Sequence, residues 1–152
     1  MARVRDNNRI PDLARQLQQI NRNKIQLGID APSGDKLFTV AWVHEYGFDI
    51  KVTPKMRGWF LGQGMPLKKS TTHIHIPERA YFRSGFDANQ GSINKKAEEL
   101  LDQLLQGNAT AYEINEDIGE FASKKISDNV TNVGLVKTGD LRDSVGFKVV
   151  RK

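Results

Sequence analysis

The stretch V-T-N-V-G-L-V-K-T-G-D-L-R-D-S-V-G-F-K-V-V-R, residues 130–151, holds a loop, a tight corner and a strand. Thr138 is placed to cap the turn through Leu141, because its hydroxyl can accept amide hydrogens left free there. Gly139 gives the corner its backbone freedom. From Val145 the chain alternates: Val145, Phe147 and Val149 face one way, Gly146 and Lys148 the other. That period of two marks a half-buried strand. A strand so late in the chain pairs with strands made much earlier. Residues 145–151 are therefore expected to close the sheet on which the molecule is built.

Further back, Ile114, Ile118, Phe121, Ala122 and Ile126 recur at helical spacing and predict a helix over 111–128. Ile93, Ala97, Leu100, Leu101, Leu104 and Leu105 predict another over 92–106, broken at Gly107. A short polar link makes the two an antiparallel pair covering the sheet. Residues 78–87 read as a short separate helix. Residues 71–76 alternate, with Thr72, Ile74 and Ile76 opposite His73 and His75, until Pro77 stops them. Residues 54–70 leave helix and loop both open: Met56, Trp59, Phe60 and Leu61 stand among Gly58, Gly62, Gly64 and Pro66.

Phe48, Ile50 and Val52 alternate in a strand over 48–53. Leu37, Val40, Ala41 and His44 fall at i, i+3, i+4 and i+7, a helix over 36–46 that Gly47 terminates. Ile25, Leu27 and Ile29 alternate within 24–30, and Leu13, Leu17 and Ile20 form one stripe of a helix over 12–21. The expected fold class is α+β: one small antiparallel or mixed sheet covered by helices. Residues 1–10, with Arg3, Arg5 and Arg9, predict a flexible basic arm, and 11–152 a single domain.

At 152 residues the chain is long enough for one real core. The absence of cysteine excludes a disulfide scaffold and a thiolate zinc site, and fits a reducing compartment. No apolar run reaches the roughly 20 residues that span a bilayer, and the basic N-terminus has no apolar stretch behind it to act as a secretory signal. The net charge of +5 permits contact with nucleic acid or an acidic protein surface without establishing either.

Chemistry has few candidates. His73 and His75 share a strand face, and with His44 and Glu45 they offer imidazole and carboxylate to a metal ion. A metal-dependent hydrolase or nuclease is the enzyme reading of that set. The helical H-E-x-x-H pattern is absent, because Tyr46-Gly47-Phe48 follows His44-Glu45. Two solvated histidines are the simpler account. Thr138 and Ser144 have turn roles, and no G-x-S-x-G elbow surrounds either. Glu98-Glu99 and Glu116-Asp117 read as solvated helix faces. Neither a catalytic set nor a cofactor site is expected.

Arg3, Arg5, Arg9, Arg15, Arg22 and Lys24, with Lys51, Lys55, Arg57, Lys68 and Lys69, carry the case for non-specific nucleic-acid binding. Trp59 and Phe60 lie among the later cations. Trp59-Phe60-Leu61 also reads as an exposed apolar patch for a partner subunit. With Arg3, Arg5 and Arg9 these residues are the interface candidates.

Three blocks resemble a known family. Val40 to Gly47 contains A-x-x-H-E-[FY]-G (Ala41, His44, Glu45, Tyr46, Gly47). Ile76 to Arg83 is similar to I-P-x-R-P-F-L-R through Pro77, Arg79 and Phe82. Leu135 to Val145 is similar to L-x-x-T-G-x-L-x-x-S-I through Thr138, Gly139, Leu141 and Ser144. In this order they resemble the tailed-phage virion-morphogenesis, or tail-completion (head–tail joining, neck), proteins. Ala80 stands where that family usually has proline, 129–134 is shorter than usual, and the Trp59 region has no counterpart. The resemblance implies a non-enzymatic α+β virion subunit without cofactor. It implies a homo-oligomeric ring, a hexamer by analogy with tail symmetry, between connector or head-completion proteins and tail-tube or tail-terminator proteins. It also implies assembly in the host cytoplasm, with packaged DNA as a further possible contact.

Overall fold

The computed structural model describes residues 8–31, 35–135 and 139–152. The order is α1 (Ile10–Arg22), β1 (Asn23–Ile29), α2 (Lys36–Tyr46), β2 (Phe48–Lys51), α3 (Pro54–Gly62), β3 (His73–Ile76), α4 (Tyr81–Gln106), α5 (Ala111–Asn132), α6 (Asp140–Asp143) and β4 (Val145–Arg151). The fold is α+β, as the patterning implies.

The C-terminal strand β4 pairs antiparallel with β1, from Asn23 opposite Arg151 to Ile29 opposite Val145. Period two puts Ile25, Leu27 and Ile29 on one face with Val145, Phe147 and Val149. That face lies on α5, where the Phe147 ring sits against Gly119. Helix α5 is central: it also packs on α4, α1 and α6. A capping box starts it, with Thr110 Oγ1 accepting from the Glu113 amide at 3.3 Å and the Glu113 carboxylate accepting from the Thr110 amide at 2.7 Å.

Apolar side chains gather in two clusters. Leu100, Leu104 and Ile114 pack with Leu13 and Ile20 from α1. Ala41, Tyr81, Val130 and Leu141 pack with Ile29, Leu37, Phe82, Val133, Leu135 and Val145. Leu17, Leu101 and Leu105 were expected on buried stripes and instead are exposed.

Several expectations need correction. The strands form two separate two-stranded sheets, β1–β4 and β2–β3, rather than one. Alternation sets which face a residue takes, but it does not name the partner strand. The short helix expected at 78–87 and the helix at 92–106 are one helix, α4. Gly85 does not break it, because α5 crosses there so closely that a Cβ would meet the Asn129 side chain. Residues 54–62 are helical: Thr53 Oγ1 accepts from the Met56 amide and Pro54 takes the first turn, where its missing N–H costs nothing. Strands β2 and β3 are shorter than the expected 48–53 and 71–76.

Candidate functional site

The three blocks meet at one corner. Glu45, on the last turn of α2, is 6% exposed and points at the start of α4. Its carboxylate accepts from the amides of Phe82 at 2.8 Å and Arg83 at 3.1 Å. A helix start leaves its first amides without partners, and the residue before it normally supplies an oxygen. That residue here is Ala80, which has none. Glu45 does the capping from a different helix, with its negative charge on the positive end of the α4 dipole.

Arg83 completes the cap. Its Nε donates to Glu45 at 2.8 Å, and its Nη2 donates to the Glu45 carbonyl at 3.0 Å and the Glu78 carboxylate at 2.6 Å. The guanidinium lies 5.0 Å from the Tyr46 ring centre. These hydrogen bonds, Glu45 first and then Glu78, hold Arg83 above its ordinary pKa. Burial, assisted by the charge of Glu45, pushes the Tyr81 phenol up.

Gly47 lets the second block come close. Its φ is +72°, and a Cβ would lie 2.9 Å from the Glu78 amide nitrogen. Beside it the Arg79 amide donates to the His44 carbonyl at 2.9 Å. The Arg79 side chain donates to the Val133 carbonyl at 2.9 Å, tying the second block to the end of α5. In the third block Gly139 turns the chain with φ +91°, Leu141 is buried, and Ser144 Oγ donates to the Leu141 carbonyl at 2.8 Å. The Ser144 carbonyl accepts from the Asp30 amide, joining the corner to β1. Thr138 lies outside the described residues; the cap position of α6 is taken by Gly139. Pro77 is exposed, and Phe82 is half-buried against Tyr81.

Ala80 has φ +44°, in the left-handed region. Proline, locked near −65°, cannot take that conformation.

The metal candidates do not converge. Among the described residues no group of three or more His, Asp or Glu side chains is placed to hold an ion. His73 and His75 are exposed on β3, with His75 Nδ1 2.6 Å from Asp49 Oδ1. Glu45 is engaged with α4. His44 Nδ1 is buried without a hydrogen-bond partner. Burial, and then the charge of Arg79, lowers the His44 pKa.

Of the interface candidates, Arg3 and Arg5 lie outside the described residues. Arg9 Nη1 donates to the Gln106 carbonyl at 2.9 Å, at the end of α4. Trp59 and Leu61 are exposed on α3, and Phe60 is half-buried edge-on to Trp59. A second apolar surface lies at the corner: Phe38, Trp42, Tyr46 and Phe48 are exposed, with the Trp42 ring tilted against Tyr46 and edge-on to Phe48.

Sequence reasoning missed Arg83 and Asn129. Arg83 stood inside a quoted block without a partner assigned to it. Asn129 Nδ2 donates to the Tyr81 carbonyl at 2.7 Å; its position beside buried Ile126 and Val130 was the available signal.

The sequence matches no protein-family model and no curated protein, and the fold matches no solved structure.

Proposed function

We propose that this chain is a structural subunit of the tailed-phage neck, a tail-completion protein that builds a ring between the head connector and the tail tube. The observation that carries the reading is the use made of the three resembling blocks. Several of their polar groups are spent on holding the fold together: Glu45 on the start of α4, Arg79 on Val133 at the end of α5, Ser144 on Leu141. Side chains committed in this way shape a building block. Exposed aromatic surface on both α2 and α3 supports assembly with other subunits. In this reading the protein catalyses no reaction, and its partners are copies of itself and the proteins above and below it.

The test is particle assembly without the protein. Filled heads and separate, unattached tails are the expected products, rejoined when the protein is added back. Intact joined particles would overturn the reading.

A further inference from the structure

Residues 48–76 form an excursion with its own internal bracing. The Val52 amide donates to the Thr72 carbonyl at 2.8 Å, extending the β2–β3 ladder and closing the loop over residues 53–71. Arg57 donates to the carbonyls of Lys68, Lys69 and Thr71, fastening α3 to the returning loop. Neither α3 nor the β2–β3 sheet packs extensively on the rest of the molecule. Trp59, Leu61 and Met65 are left exposed on it.

The charge is distributed to match. Residues 50–77 contain Lys51, Lys55, Arg57, Lys68 and Lys69 and no acid. Without these five, the chain's 23 cations would equal its 18 acids, so residues 50–77 hold a charge equal to the whole net +5. The opposite sign is concentrated elsewhere. From Ala97 to Ser123, across the α4–α5 elbow, there are seven acids and no Lys or Arg. Leu101, Leu105 and Tyr112 are exposed on that elbow. Glu98, Leu101, Asp102 and Leu105 fall at i, i+3, i+4 and i+7, an outward stripe that mixes acid and apolar side chains. The ion pairs of the described residues engage none of the four excursion lysines and neither Glu98 nor Asp102.

We propose that the basic excursion of one copy docks on the acidic elbow of a second copy of this chain. Each surface has an apolar centre among charges, and the charges are opposite in sign. Exposed apolar side chains on both sides, Trp59, Leu61 and Met65 on one and Leu101, Leu105 and Tyr112 on the other, fit a protein partner better than a phosphate backbone, which needs cations alone. The two surfaces are different parts of one chain, so a copy that gives its excursion to one neighbour keeps its elbow for another. That is a head-to-tail interface, which makes a ring when its rotation closes. The docking pair deepens the ring reading above but stands on the charge pattern, and only the closure of the ring rests on that reading.

The test is sedimentation velocity of the full chain at low and high salt. Self-association is expected at low salt, weakening as salt screens the charges. Reversal of the excursion, Lys55→Glu with Lys69→Glu, is expected to weaken it at least tenfold, as is reversal of the elbow, Glu98→Lys with Asp102→Lys. Mixing the two variants restores association, because the unaltered excursion of one meets the unaltered elbow of the other. Circular dichroism of each variant checks that it has folded, and Trp59→Ser tests the apolar centre without changing charge.

Oligomers that survive both reversals remove this docking pair and leave the ring reading standing. A wild type that stays monomeric at low salt overturns the pair, as does an excursion that binds duplex DNA while its reversal leaves self-association unchanged. Restoration by mixing, in a protein whose loss leaves heads and tails joined, keeps the docking pair and removes the neck reading.

Discussion

Glu45 Oε2 accepts the amide hydrogen of Phe82 at 2.8 Å, across 37 residues of sequence. One side chain on α2 thus replaces the cap that α4 lacks. Because charge-assisted hydrogen bonds to two helix amides are lost together, Glu45→Ala is expected to cost about 2–4 kcal/mol. Glu45→Gln keeps acceptor oxygen but loses charge, so it should cost less. Urea denaturation of both variants measures this. Equal stability of wild type and Glu45→Ala would mean that α4 starts without help.

Ala80 precedes that helix in the left-handed region, at φ +44°. An alanine there carries about 1 kcal/mol of strain, which glycine does not. Ala80→Gly should accordingly raise the melting temperature by a few degrees. Ala80→Pro should lose about 3 kcal/mol or more, since the ring forbids the observed φ. A well-folded, more stable Ala80→Pro would show that the entry to α4 takes another backbone path.

Gly119 lies under the Phe147 ring, where an added Cβ would collide with ring carbons. Gly119→Ala must push β4 away from α5, at about 1–3 kcal/mol. Shrinking the ring should return part of that loss, so Gly119→Ala with Phe147→Leu should be less destabilised than the two single losses summed. Simple additivity in a thermal double-mutant cycle would place the two residues out of contact.

His44 supplies the acid-side pH dependence. Burial, and then Arg79, holds its pKa below the ordinary 6.5. The unfolded chain takes up a proton near that value, whereas the folded chain resists it, so acid favours unfolding. Stability is full above about pH 6.5 and declines as the pH falls below it. His44→Gln should flatten the fall of the melting temperature just below about pH 6.5. Glu113 and Asp143 have carboxyls held below their usual range, Glu113 by Thr110 and Asp143 by Arg142. What they contribute is present above that range and lost in a lower window, below about pH 4.5. A decline confined to that window and unchanged by His44→Gln would acquit the histidine.

Elements with local signals at both ends were the most legible in sequence. The bounds of α2 follow from Asp35, whose carboxylate accepts from the Leu37 amide, and from Gly47. The strands β1 and β4 show their period of two directly. Relations between distant segments were not legible. Nothing local distinguishes one four-stranded sheet from two pairs. The helices expected at 78–87 and 92–106 look separate until the crossing of α5 over Gly85 is seen. At the corner, the quoted blocks named Glu45 and Arg83 but did not join them, because a cap borrowed from another helix leaves no mark at the helix it caps. The sign imbalance of residues 50–77 was visible in composition. That it belongs to a projecting element became clear only from the packing.

The hydrogen bond between Val52 and Thr72 has an evolutionary consequence. A loop whose two ends already meet can be shortened, extended or exchanged while the scaffold beneath it is inherited unchanged. Replacing residues 53–71 with a tight turn should leave a folded protein. Selection for new neighbours would then act first on this stretch.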